Sequence, residues 1–320
     1  MEHFFASFKV TGLAVLQIFI LGALGYYLVK KDILPQDGLK SLSRLVIEIV
    51  FPALIFSRLI RDFSFSAYPD WWVFPLISLA ITISGFLIGA IFVGFIKGAK
   101  HKTQFLSLST FQNSGYLPLA MVAALLPKDQ AGSVFIYIFL FLLGFDLIMW
   151  SVGVYILTST FTKKFELGSI FSPPVIANLV SLLLVAIGVS RFIPDFVMTP
   201  VRMVGDCTLP LAMFIVGGNI ASIKLGNVDK KAISLVLLGK LIILPALGLL
   251  VILKLNLPYL LGLLILMQLA MPPATSLSVI IRHYKKEDLL ISQGVFLGHL
   301  ISIISIPVFL SLYFALTVAK

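Results

Sequence analysis

The chain has 320 residues, 59% of them apolar and only 12% charged, with a mean hydropathy of +1.08 and a formal net charge of +10. A soluble domain carries about 25% charged residues, so this composition excludes a soluble globular protein and points to an all-α polytopic protein whose main partner is the lipid bilayer. The single cysteine, Cys207, excludes an internal disulfide, and the basic residues sit in short loops, where they read as topology signals and leave no nucleic-acid surface.

Ten spans are predicted in chain order. The first runs from about Val10 to Val29, ends at Lys30-Lys31 and is followed by no small-residue cleavage site, so it is expected to be retained. The second, Leu42 to Ile60, holds Glu48 and Pro52; Arg44 and Glu48 have the spacing of an ordinary i,i+4 ion pair. The third, Trp71 to Ile96, opens with an interfacial tryptophan pair. The fourth, Gln104 to Leu126, is interrupted by Gln112-Asn113-Ser114-Gly115 and Pro118. The fifth, Ala131 to Phe161, carries Asp146.

After Lys163-Lys164 and Pro173-Pro174 comes the sixth span, Val175 to Ile193. The seventh, Val204 to Ile223, contains Pro210, Gly217-Gly218 and Asn219, and the eighth, Ala232 to Leu253, contains Lys240. The ninth, Tyr259 to Ile281, is broken at Met271-Pro272-Pro273-Ala274-Thr275-Ser276. The tenth, Leu289 to Val318, holds Gly298-His299 and Pro307. Basic residues mark alternate loops, among them Lys97, Lys100 and Lys102, then Lys163-Lys164, then Lys230-Lys231, then Lys285-Lys286. The positive-inside rule then places both termini outside the cytoplasm.

The interruption in span four organises the rest. Proline has no N–H and glycine weakens a helix. Lipid cannot satisfy the freed backbone groups, so such a break belongs where protein or a wet cavity surrounds it. Span nine breaks in a corresponding place, and Pro52 of span two has a counterpart in Pro210 of span seven. Both correspondences are offset by five spans, an odd number, which is the pattern of an inverted repeat. The expected division is a first five-helix repeat over 1–162, a linker over 163–172 and a second repeat over 173–320.

Asn113-x-Gly115-x-x-Pro118-Leu119, the stretch from Leu209-Pro210-Leu211 to Gly217-Gly218, and Pro272-Pro273-Ala274-Thr275 resemble the auxin efflux carrier family of permeases. The resemblance covers the whole chain. It implies a five-plus-five inverted repeat with broken helices four and nine crossing, an arrangement similar to that of bile acid:sodium symporters. It also implies a scaffold of helices 1, 2, 6 and 7, a moving transport domain of helices 3–5 and 8–10, and a homodimer through the scaffold. The linker between spans five and six is short, unlike the long middle loop of plant auxin exporters. In this the chain is similar to the short prokaryotic-type members, associated with small organic acids such as malonate or malate, and an inner (plasma) membrane location follows.

The expected function is therefore a secondary transporter moving a small organic anion, a mono- or dicarboxylate or an auxin-like acid, by alternating access. An anion channel or facilitative pore is the alternative. Half-helix starts at the breaks favour an anion by about 0.3–2 kcal/mol each, while desolvating a carboxylate costs several kcal/mol, so hydrogen-bond donors are needed. Asn113, Ser114, Thr275 and Ser276 are candidate donors, with Gln112 and Gln268 nearby; Gly115, Pro118, Pro272 and Pro273 shape the site. The competing reading is that the polar groups only repair their own broken backbones.

Ionisable groups inside spans are costly, which makes each a candidate for function. Asp146 is a candidate carrier of a coupling proton, or a helper in holding Na⁺, against a purely structural aspartate. His299 is a candidate proton relay against a packing histidine, and Gln268 a further candidate for the coupling ion. Lys240 either serves as substrate counter-ion or snorkels to the inner surface. Asn219 either faces a cavity or follows glycines that let helices pack. No cofactor is expected beyond coupling H⁺ or Na⁺. No His-Glu-x-x-His, P-loop or paired intramembrane aspartate speaks for an enzyme.

Overall fold

The computed structural model describes residues 2–158, 171–223, 226, 228–283 and 289–318. Among them every regular element is helical, and extended backbone meets only in one isolated bridge. The helices are α1 (Glu2–Lys30), α2 (Gln36–Leu45), α3 (Phe51–Asp62), α4 (Val73–Val93), α5 (Ala99–Thr110), α6 (Tyr116–Leu125), α7 (Lys128–Ile148) and α8 (Val154–Thr158). They continue as α9 (Pro173–Ala186), α10 (Asp195–Asp206), α11 (Thr208–Ala221), α12 (Lys230–Leu238), α13 (Leu244–Leu255), α14 (Tyr259–Ala270), α15 (Ser276–His283) and α16 (Leu289–Val318). Six described stretches are long and apolar enough to cross a membrane: His3–Lys30, Val73–Val93, Lys128–Leu157, Asp195–Ala221, Lys230–Leu255 and Leu289–Thr317. Most of the expected linker, residues 163–170, and the loop lysines Lys163-Lys164 and Lys285-Lys286 lie outside the described residues.

Two of the helical prolines, Pro52 and Pro245, are accommodated in the same way, whereas Pro200 and Pro307 sit inside continuous α-helices. A single π-helical turn, Val46–Val50, joins α2 to α3, and Pro52 is the second residue after it. A second, Gly239–Ile243, joins α12 to α13 just ahead of Pro245. A helical proline clashes with the carbonyl four residues back, here that of Glu48 and of Leu241. Both carbonyls fall within the widened turn, so the helix passes the proline without ending. Arg44 Nε donates to Glu48 Oε1 at 2.7 Å on the exposed face of the first of these segments, the ion pair that the spacing predicts.

Two boundaries differ from expectation. The predicted sixth span ends early: α9 has 14 residues, about 21 Å of helix against a hydrocarbon layer of about 30 Å. Gly188, in the left-handed region at φ 74, turns the chain out of it. The seventh then starts sooner, at Asp195, with a turn at Cys207 between α10 and α11.

Helix packing sorts into neighbourhoods. Among the described elements, α1 lies along α11 and α16, α3 lies against α9 and α10, and α4 packs on α5 and α7. The α1–α11 contact is backbone on backbone. A Cβ at Gly217 would run into the carbonyl of Gly22, and one at Gly25 into Phe214. The glycines of α11 thus serve close packing, the second of the two roles considered for that stretch.

Candidate substrate site at the crossing of two broken helices

The predicted fourth and ninth spans are each two half-helices in the structure, α5 with α6 and α14 with α15. Their breaks meet. Gln112 faces Pro273 in an antiparallel bridge; Asn113 N–H donates to the Pro272 carbonyl at 2.9 Å, and Ala274 N–H to the Phe111 carbonyl at 3.1 Å. The flanking bonds make Gln112–Pro273 a pair that exchanges no hydrogen bond of its own. A proline there loses nothing, because its missing N–H would have had no partner in the bridge. Pro272 contributes only its carbonyl. The double proline also extends the residue before it, and Met271 has φ −70 and ψ 142.

Small residues on other helices make room for the crossing. A Cβ at Gly153 would come 2.8 Å from the Phe111 ring, and one at Gly298 would come 2.6 Å from Pro273 Cδ. Gln268 braces the junction from α14, its Nε2 donating to the Ser114 carbonyl at 3.0 Å.

A cavity of 160 Å³ opens beside the crossing. It brings together Gln112, Asn113, Ser114, Gly115, Thr275, Ser276 and Asp146, with Tyr116, Phe51 and Trp150 among its walls. The first turns of α6 and α15 both begin at its edge. Phe51 packs edge-on against Tyr116 at 5.6 Å between ring centroids. Phe51 and Trp150 are not evident from sequence, since each lies in an apolar run that also fits lipid, whereas Tyr116 directly follows the polar break.

The two atoms of the Asn113 amide are used differently. Its Oδ1 accepts the Leu117 N–H at 3.4 Å, repairing the start of α6, while its buried Nδ2 has no partner. Gln112 is similar: Oε1 accepts from Lys240 Nζ at 3.3 Å and Nε2 is unpartnered. Two buried amide donors at one cavity, each fixed through its oxygen, suit an acceptor supplied by a ligand. Asp146, half-buried on the cavity wall, forms no ion pair among the described residues.

Of the remaining candidates only Gly115 borders this cavity. Pro118 is the third residue of α6, where a helix has no use for the missing N–H, so it starts the second half-helix. Pro272 and Pro273 form the crossing without bordering the cavity. Gly115 has φ −104 and would carry a Cβ with Leu142 no nearer than 3.8 Å, so neither conformation nor space requires glycine. Lys240 does not border the cavity; its Nζ is turned to the end of α5. His299 borders a separate, apolar cavity of 440 Å³ between α1, α11 and α16. Its Nδ1 donates to the Val295 carbonyl at 2.8 Å, and Nε2 is unpartnered. Among the described residues no three His, Cys, Asp or Glu side chains gather as a metal site.

A family model described as membrane transport protein matches residues 11–165 and 157–310. Protein PIN-LIKES 6 of Arabidopsis thaliana is 22% identical over an alignment of 332 positions, covering 76% of this chain and 76% of that one. Protein PIN-LIKES 1 of the same plant is 22% identical, covering 75% of this chain and 64% of its own length. An uncharacterized transporter of Schizosaccharomyces pombe is 27% identical over 160 residues, covering 45% of this chain and 35% of its own.

Proposed function

The chain belongs to the auxin efflux carrier family of membrane transport proteins and is an integral membrane transporter, and from that premise we propose that it is a secondary carrier of a small organic anion. The observation that carries this reading is the pair of buried, unpartnered amide donors, Asn113 Nδ2 and Gln112 Nε2, at a cavity where two half-helices begin. Half-helix starts and free N–H donors together favour a carboxylate. Ligand pockets for drug-sized molecules run to about 300–1,000 Å³. A cavity of 160 Å³ therefore suits a compact mono- or dicarboxylate better than an indole-bearing acid.

Asp146 supports coupling to protons. An ionised carboxylate on the wall of an anion site repels the substrate, and a protonated one donates a hydrogen bond to it, so proton and anion enter favourably together. In this reading the chain is a five-plus-five inverted repeat of ten spans. Helices from spans three to five and eight to ten move against a scaffold of spans one, two, six and seven by alternating access. Both termini face away from the cytoplasm of a bacterial inner membrane, and the scaffold pairs two copies.

The test is uptake of radiolabelled malonate, malate and indole-3-acetate into proteoliposomes, with H⁺ and Na⁺ gradients imposed separately. Saturable uptake of the small acids driven by an inward proton gradient is expected. Ion current without saturable uptake replaces the carrier with a channel.

A further inference from the structure

Lys240 is the most deeply buried cation among the described residues, 1% exposed, and no carboxylate pairs with it there. Its Nζ lies 3.1 Å from the Ser109 carbonyl, 3.4 Å from the Thr110 carbonyl and 3.3 Å from Gln112 Oε1. All three are pure acceptors, and three donated bonds require the three N–H groups of an ammonium. Ser109 and Thr110 close α5, where the helix dipole is negative and the last carbonyls lack helical partners. The buried Thr110 hydroxyl is also without a partner. On the far side, Gly85 of α4 fits against the same carbonyls; a Cβ there would come 2.7 Å from Ser109 O and 3.0 Å from Thr110 O.

Oxygen atoms converging at the end of a half-helix make the kind of place where carriers hold a free monovalent cation. We infer that this is a cation site filled by the chain's own Lys240, a tethered ammonium that stands where a free Na⁺ would otherwise be needed. The inference rests on the carrier reading and deepens it: no Na⁺ is required at the crossing. Lys240 is a positioning residue. It holds Gln112 by its oxygen, which leaves Nε2 as the amide's free donor beside the cavity. Lys240 lies in the π-helical turn that precedes Pro245, and such turns occur often at functional sites.

The test compares wild type with Lys240→Ala in NaCl, LiCl, methylammonium chloride and choline chloride at constant ionic strength. It reads the melting temperature of purified protein as well as uptake. Wild type is expected to melt at one temperature in all four salts. Lys240→Ala is expected to melt lower in choline and to recover saturably with methylammonium or Na⁺, its uptake following the same order. The melting arm needs no substrate, so it stands even if no acid is transported. A Na⁺-dependent rise in the wild-type melting temperature overturns the proposal, as does a Lys240→Ala protein that responds to no cation. Should Lys240→Ala fail to fold, Lys240→Met and Lys240→Arg decide. Wild-type stability in the methionine variant, which fills the volume without charge, overturns the proposal; a loss in methionine that arginine restores supports it.

Discussion

Gly298 of α16 lies against Pro273 so closely that a Cβ on it would sit 2.6 Å from the proline Cδ, and the proline ring is fixed in turn by the bridge to Gln112. Neither partner has a flexible end to yield. Gly298→Ala is therefore expected to displace the crossing, at a cost of about 1–3 kcal/mol for overpacking. The melting temperature should fall and uptake should be lost together. Gly153→Ala, which meets the Phe111 ring at 2.8 Å, should act in the same direction.

Gly115→Ala is expected to do little. The backbone there is at φ −104 and the added methyl reaches only ordinary contact with Leu142. Stability should change by no more than about 1 kcal/mol, and saturable uptake should persist. Loss of uptake at unchanged melting temperature would mean that the methyl occupies substrate space in the cavity.

Asn113 separates capping from binding. Asn113→Ala removes both the acceptor for Leu117 N–H and the free donor, and is expected to cost about 0.5–2 kcal/mol in stability as a lost cap. Asn113→Asp keeps the acceptor but removes the donor and adds negative charge. Its melting temperature should stay near wild type. Its affinity for the acid should drop by the worth of a hydrogen bond to a charged group, about 1.5–3 kcal/mol, or roughly ten- to hundredfold. Equal uptake in wild type and Asn113→Asp would remove Asn113 from the binding residues.

Asp146→Asn holds the carboxyl position permanently neutral. Accumulation driven by a proton gradient is expected to disappear, while exchange of labelled for unlabelled acid across the membrane continues. Loss of both would instead make Asp146 a structural residue of the cavity wall.

Much of this architecture is legible in the sequence because membrane physics leaves few solutions. Polar residues and prolines inside apolar runs mark the breaks at Asn113 and Pro272, and their common offset pairs them before any contact is seen. The cavity then gathers Asn113, Ser114, Thr275, Ser276 and Asp146 as candidates that share one place. What stays hidden is set by contacts between distant segments. Nothing near Lys240 in sequence announces that Ser109 and Thr110 receive its hydrogen bonds. Of the two roles expected there, snorkelling to the inner surface is ruled out by its burial, and a substrate counter-ion would have to border the cavity, which Lys240 does not. His299 lies in span ten, the counterpart under the five-span offset of the span that carries Asp146, yet it borders the other cavity. Gly115 is expected from sequence to shape the site, whereas the close approaches at the crossing fall on small residues of the neighbouring helices, at Gly153 and Gly298.

The crossing also sets an order on biosynthesis. A ribosome delivers Phe111 and Asn113 long before Pro272 and Ala274, so the carbonyl and N–H that those later residues satisfy enter the membrane unpaired. Each such group costs several kcal/mol in a hydrocarbon environment. The amino-terminal half must wait in the bilayer as an open junction until α14 arrives to close it. A chain arrested before Pro272 thus leaves the Phe111 carbonyl and the Asn113 N–H without their partners at its very centre.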